Sequence, residues 1–107
     1  MNTKYRVVVA TTAPSGIRTF SNKELNILMR GMIGIPVLEE FDQDRDIGAV
    51  SSVSVEEGKL IAEVLLNKEL TPNMSITIGY IFKSLKVMCV STTLYPEDTS
   101  LTIAEKI

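Results

Sequence analysis

No histidine occurs in the 107 residues, and cysteine occurs once, as Cys89. Without an imidazole the chain lacks the usual proton acceptor that turns a hydroxyl or thiol into a nucleophile at neutral pH. A lone cysteine gives no intrachain disulfide and no cysteine-based zinc cage. Cys89 stands in the apolar run Val87-Met88-Cys89-Val90, where a thiol packs as a small hydrophobe, so a buried strand cysteine is expected. Long runs are missing as well. No apolar stretch approaches the ~20 residues of a membrane-spanning helix. Met1-Asn2-Thr3-Lys4-Tyr5 lacks the basic start and apolar middle of a secretory signal, so a soluble protein made in the cytoplasm, with no membrane partner, is expected. The 11 Lys and Arg are scattered among 13 Asp and Glu, for a net charge of −2. No basic cluster can neutralise successive phosphates, so nucleic acid is not an expected ligand.

What is present is the composition of a globular domain, 45% apolar and 22% charged. The length suits one core, so residues 1–107 are read as a single domain with 97–107 a flexible C-terminal segment. Tyr5 to Thr11, with Val7-Val8-Val9 at its centre, reads as a strand buried on both faces. Thr12 to Gly16 carries turn chemistry. Ser21 and Glu24 form a capping box. Leu25, Leu28, Met29, Met32 and Ile33 follow at helical spacing, which predicts an amphipathic helix over about 21–33, ended by Gly34 and Pro36. Glu39 to Asp46 reads as an exposed acidic loop or short edge strand.

Ile47, Ala49, Val53 and Val55 alternate with Ser52 and Ser54, as in a half-exposed strand over Ile47–Val55. Glu56-Glu57-Gly58-Lys59 is a turn leading to a partner strand, Leu60–Leu66. In Met74–Phe82, Ile76, Ile78, Tyr80 and Phe82 share one face, and Ser75, Thr77, Gly79 and Ile81 the other. Lys83-Ser84 is read as a two-residue turn into Leu85–Leu94, Pro96 to Asp98 as a further turn, and Leu101–Ile107 as a terminal segment that frays or adds to a neighbour. The expected fold is α+β and mainly antiparallel, a curved sheet or partial barrel with one helix packed on it.

Few residues offer chemistry. Asp42, Asp44 and Asp46 alternate like the start of a calcium loop, but Ile47 replaces the glycine of the sharp turn and Val53 the closing acidic ligand. Arg45 offsets part of the charge, and a solvated acidic segment explains it better. The carboxylates Glu39, Glu40, Glu56, Glu57, Glu63, Glu97 and Asp98 show no pairing that would set up an acid and a base. Gly31 and Gly34 come at a helix end, where they terminate it, not at a start, where they could cradle phosphate. A Ser–Lys pair drawn from Ser75, Ser84 or Ser91 with Lys83 or Lys86 rests on spacing alone. No metal site and no cofactor are expected.

From Gly34 to Pro96 the order of short motifs is similar to that of the prohead maturation proteases of tailed bacteriophages, which share their fold with the herpesvirus assemblins. Gly34-Ile35-Pro36-Val37, then Asp42, then Ile47-Gly48-Ala49-Val50 and the hairpin Val55-Glu56-Glu57-Gly58-Lys59-Leu60 follow the family's sequence of elements. Thr77-Ile78-Gly79-Tyr80 resembles its nucleophile strand. Val90-Ser91-Thr92-Thr93-Leu94-Tyr95-Pro96 resembles a later strand. The resemblance puts Phe41 where the family has its catalytic histidine and Thr77 where it has its serine, with Ser75 as the fallback nucleophile. Phenylalanine accepts no proton, so no catalytic residue is expected.

What this implies is a protease scaffold kept for its surfaces. The expected role is a non-catalytic virion protein, made in the host cytoplasm, that decorates or cements a capsid and binds the major capsid protein or further copies of itself as a homo-oligomer. Two other roles remain open on the same residues. One is a residual protease using Ser75 or Thr77 with Lys83 or Lys86, and the other a scaffold or regulatory subunit of an active protease.

Overall fold

The β-branched run Val7-Val8-Val9 forms the middle of β1 (Thr3–Thr11) in the computed structural model, which describes residues 2–12, 20–70, 74–81, 84–93 and 105–107. From Val7 to Thr11 every side chain is buried or half-buried, but Arg6, like Lys4 before it, is exposed, so the burial on both faces expected over Tyr5 to Thr11 holds only from Val7 onward. The turns read at 13–16 and 96–98 lie outside the described residues, and so does Lys83 of the turn read at Lys83-Ser84.

The capping box forms as expected: Glu24 N donates to Ser21 Oγ at 3.1 Å and Ser21 N to Glu24 Oε1 at 3.0 Å. The helix it starts, α1 (Asn22–Met29), buries Leu25 and Leu28 but ends four residues before the expected Ile33. Arg30 takes an extended conformation (ψ 121°) and Gly31 a left-handed one (φ +85°), so the ladder stops at Met29. Met32 still reaches the core, from the turn. Ile33 is 66% exposed, which corrects its place on the buried face.

β2 (Pro36–Glu39) is too short to show a period in sequence and was not expected. It pairs antiparallel with β3 (Asp42–Glu56) and parallel with β6 (Lys86–Thr93). The segment read as an acidic loop or edge strand is therefore a hairpin: Glu40-Phe41 is a two-residue turn between Glu39 and its partner Asp42, and Asp42 to Asp46 are exposed strand residues. The side-chain alternation expected for β3 is also corrected. Pairing with β4 (Lys59–Leu66) passes from Val50↔Val64 to Ser52↔Glu63, so Ser51 is an extra residue and the face changes there. Ile47 and Val50 are buried, Ala49 is only half-buried, and Val53 and Val55 pack against the core from its edge.

The β3–β4 hairpin turns through Glu57 (φ +50°) and Gly58 (φ +74°), the positive φ expected at this glycine. β5 (Ser75–Ile81) pairs antiparallel with β6, and β7 (Glu105–Lys106) adds to β1. Among the described residues the strands form one mixed sheet in the order β5-β6-β2-β3-β4-β1-β7. β1 and β5 also touch without sharing a ladder, because the sheet curls into a half-barrel. α1 lies against β3, β4 and β6. The core is the concave side, where Val7, Val9, Leu25, Leu28, Val37, Val50, Val64, Leu66, Ile76 and Val90 meet.

Candidate functional site

The strand pairing of β5 with β6 sorts their residues by face. Thr77 lies opposite Ser91 and Gly79 opposite Cys89, while Ile76, Ile78, Val90 and Thr92 point to the other side. Burial agrees, since Ile76, Ile78 and Val90 belong to the core and Thr77, Gly79 and Cys89 are only half-buried. The site is the outer face that carries Thr77, Gly79, Cys89 and Ser91.

β2 runs beside β6 with Leu38 opposite Ser91 and Glu39 opposite Thr92, which brings the Glu40-Phe41 turn onto this face. Phe41 donates its backbone N–H to Ser91 Oγ at 2.7 Å, and Glu40 N donates to the Thr92 carbonyl at 3.3 Å. Ser91 is fully buried and donates in turn to the Thr92 carbonyl at 3.3 Å. The Phe41 ring lies over Gly79. A Cβ on Gly79 would sit 3.3 Å from Phe41 Cε1 and 2.8 Å from Cys89 Sγ, so the ring and the thiol occupy the space that a side chain there would fill.

Glu40 (φ +50°) and Phe41 (φ +58°) both adopt the left-handed region, as a two-residue hairpin turn demands. For residues other than glycine that conformation costs roughly 1–2 kcal/mol each. Such strain persists only where the surroundings fix it, and the bond to Ser91 together with the packing on Gly79 does so here.

The structure thus brings the two positions singled out in the sequence, Phe41 and Thr77, to one sheet face, linked through Ser91. Ser75 starts β5 opposite Thr93, two residues from Thr77. Lys86 lies opposite Ile81, four residues along β5 from Thr77 and so roughly 13 Å away along the strand. That separation removes the Thr77–Lys86 pairing, and Lys83 lies outside the described residues. Ser84 is exposed in the turn before β6.

Cys89 is half-buried rather than buried as expected. Burial pushes its thiol above the ordinary value, and a backbone hydrogen bond from Gly79 opposes the shift only in part, so the sulfur stays protonated at neutral pH. The acidic hairpin arms are occupied locally. Asp42 Oδ1 accepts from Asp44 N at 2.9 Å, Asp46 Oδ1 from Gly48 N at 3.1 Å, and Arg45 lies 3.6 Å from Asp42 and 3.8 Å from Glu39. These backbone bonds account for the alternating aspartates in the way such side chains commonly serve turns.

Reasoning from sequence named Ser91 only as one of three serines for a Ser–Lys pair and Gly79 only within the Thr77-Ile78-Gly79-Tyr80 motif, and it gave neither a part in seating Phe41. An isolated glycine inside a strand was the available signal for Gly79, because it marks a close approach of another group. Nothing in the sequence alone marks the bond of Ser91 to Phe41, whose backbone stands 50 residues away.

No protein-family model matches the chain, and no curated protein matches it in sequence. Among solved structures the chain is similar to the varicella-zoster virus protease, with a TM-score of 0.76 over 97% of this chain at 10% identity. The chain spans 63% of the length of that structure. At this identity the likeness concerns the fold.

Proposed function

We propose that the chain is a non-catalytic structural protein of a virus particle, a capsid decoration or cement protein that keeps the scaffold of a prohead-type protease. The supporting observation is the Phe41 turn. On a fold shared with a viral protease, the position that the resemblance to prohead proteases gives to the base carries an aromatic ring instead. That ring is seated on Gly79 and tied through its own backbone to Ser91. Thr77 has no imidazole in the chain to call on, and Lys86 is displaced along the strand. A neutral hydroxyl without an acceptor is a poor nucleophile at neutral pH.

The same turn offers a binding surface. Phe41 is 49% exposed and Met88, at the β6 irregularity beside Cys89, is 52% exposed. Half-exposed aromatic and methionine side chains bordered by charge are the kind of anchors protein interfaces use. The partner in this reading is the major capsid protein of the assembled shell or a further copy of the chain.

The test is binding to purified shells of the virus that encodes the chain, followed by cryo-electron microscopy of its particles. Ordered density on the shell, lost with Phe41→Ala while the variant keeps its melting temperature, is the expected result. Shells that never retain the chain, together with particles that lack it, overturn the reading.

A further inference from the structure

The register of four strands sets a row of small residues across the outer face of the sheet. Gly79 on β5 lies opposite Cys89 on β6, and Pro36 on β2 lies opposite Ala49 on β3. The parallel pairing of Val37 with Val90 puts Pro36 beside Cys89, one residue earlier on each strand, and joins the two pairs into one row. All four residues are half-buried. Two large apolar groups stand at one end of this floor, the Phe41 ring packed on Gly79 and Met88 next to Cys89. Both are about half exposed, so the apolar end of the floor is open to a partner.

Charge at the borders gives the floor a direction. On the β3 side Asp46 lies opposite Leu38 and is exposed, two strand spacings or roughly 10 Å from β6. Asp44, two residues before it, is exposed as well. Arg45 pairs with Asp42 and Glu39, and Lys68 with Glu39, so among the described residues Asp44 and Asp46 have no cation in ion-pair contact. On the β6 side, at the start of that strand, Lys86 is exposed. A partner that lays an apolar side chain on the floor therefore meets carboxylates toward β3 and an ammonium toward the start of β6. At a separation near the Debye length of physiological salt, these charges favour a basic group toward β3 and oppose an acidic one there.

We propose that this floor docks an extended segment of a partner protein, one that sets an aliphatic side chain beside Phe41 and Met88 and turns an arginine or lysine toward Asp46. An extended chain advances about 3.3 Å per residue, so a long basic side chain about two or three residues from the apolar one reaches β3. The proposal rests on the reading of the Phe41 turn as a binding surface and not on a role in a virus particle, and free peptides used in place of shells keep the two failures apart.

Three acetylated, amidated peptides are matched probes: Arg-Arg-Gly-Leu-Gly, Glu-Glu-Gly-Leu-Gly and Arg-Arg-Gly-Ser-Gly. Each is titrated into the intact chain while the Met88 methyl and the backbone amides of Phe41, Cys89 and Ala49 are followed by NMR. The first peptide is expected to shift these resonances saturably, and the other two at least fivefold more weakly. Asp44→Asn with Asp46→Asn removes two exposed charges and keeps the side-chain oxygen that accepts from Gly48 N. That double variant is expected to keep its melting temperature and to bind the first peptide about fivefold more weakly. Met88→Ala, at a half-exposed position, is expected to melt like the wild type and to weaken binding as well. No saturable shift with the first peptide, equal binding of the acidic or the serine peptide, or undiminished binding by the double variant overturns the proposal. So does a concentration-dependent shift of the same resonances without peptide, which would make a second copy of the chain the occupant.

Discussion

Phe41 and Ser91, 50 residues apart in the chain, meet through a 2.7 Å hydrogen bond from the Phe41 backbone to the Ser91 hydroxyl. The bond fastens the tip of the β2–β3 hairpin to β6 and holds a bulky residue in a left-handed conformation. Ser91→Ala leaves the Phe41 N–H without its acceptor. The expected cost is about 1–3 kcal/mol in chemical denaturation, with faster hydrogen exchange at Phe41. Unaltered stability together with unaltered exchange would show that the bond does not hold the turn.

Two glycines separate a rigid clash from a yielding one. A Cβ at Gly48 would lie 2.1 Å from the Leu65 carbonyl oxygen, which is backbone within the β3–β4 ladder and cannot move without breaking the pairing. At Gly79 the nearest obstacle is the Cys89 thiol, which can rotate. Gly48→Ala is therefore expected to destabilise by more than about 3 kcal/mol, and Gly79→Ala by about 1 kcal/mol. Urea midpoints for the two variants decide it, and equal losses contradict the structural account.

The helix end gives a matched pair as well. Leu28 is fully buried and Ile33 is 66% exposed. Leu28→Asp buries an unpaired carboxylate and is expected to unfold the domain, whereas Ile33→Asp should stay within about 0.5 kcal/mol of the wild type. Circular dichroism melts distinguish them. Cooperative melting of Leu28→Asp near the wild-type temperature would refute the packing of α1.

Glu69 and Lys106 form an exposed ion pair beside the β1–β7 pairing. The hydrogen bond and charge of Lys106 lower the Glu69 carboxyl below its ordinary 4.5, and those of Glu69 raise Lys106 above its ordinary 10.5. The Glu69 contribution is thus present above pH 4.5 and lost as pH falls through the lowered value. That of Lys106 is present below pH 10.5 and lost as pH rises through the raised value. The exchange protection factor of the Ile107 N–H, which donates to the Lys4 carbonyl at 2.9 Å, should be level between these limits and fall modestly outside them. High salt should flatten the profile, because an exposed pair is screened. A protection factor that does not change in acid would separate β7 docking from this pair.

Much of the fold was legible because its signals are local. Ser21 and Glu24 announce the helix start, Gly58 the β3–β4 turn, and the alternation of Ile76 and Ile78 with Thr77 and Gly79 the two faces of β5. The helix end was misplaced because spacing carried the pattern through Met32 and Ile33, while Gly31, two residues earlier, had already turned the chain. β2 was missed because four residues show no period. The extra residue at Ser51 reversed a face that strict alternation cannot reverse. At the site, Phe41 and Thr77 were found through resemblance to a family. Their common face, and the role of Ser91 and Gly79 in seating Phe41, depend on the register of β5, β6 and β2, a long-range property that no short window of sequence contains.

The central proposal is that this fold, similar to that of a viral protease, carries out no peptide hydrolysis, because the chain has no imidazole to activate Thr77. Its most direct test is prolonged incubation of the purified chain at neutral pH with the capsid and scaffold proteins of the virus proposed to encode it, read by mass spectrometry beside the Thr77→Ala and Ser75→Ala variants. The account predicts the same intact substrates in all three reactions. Cleavage by the wild type that either substitution abolishes would contradict it.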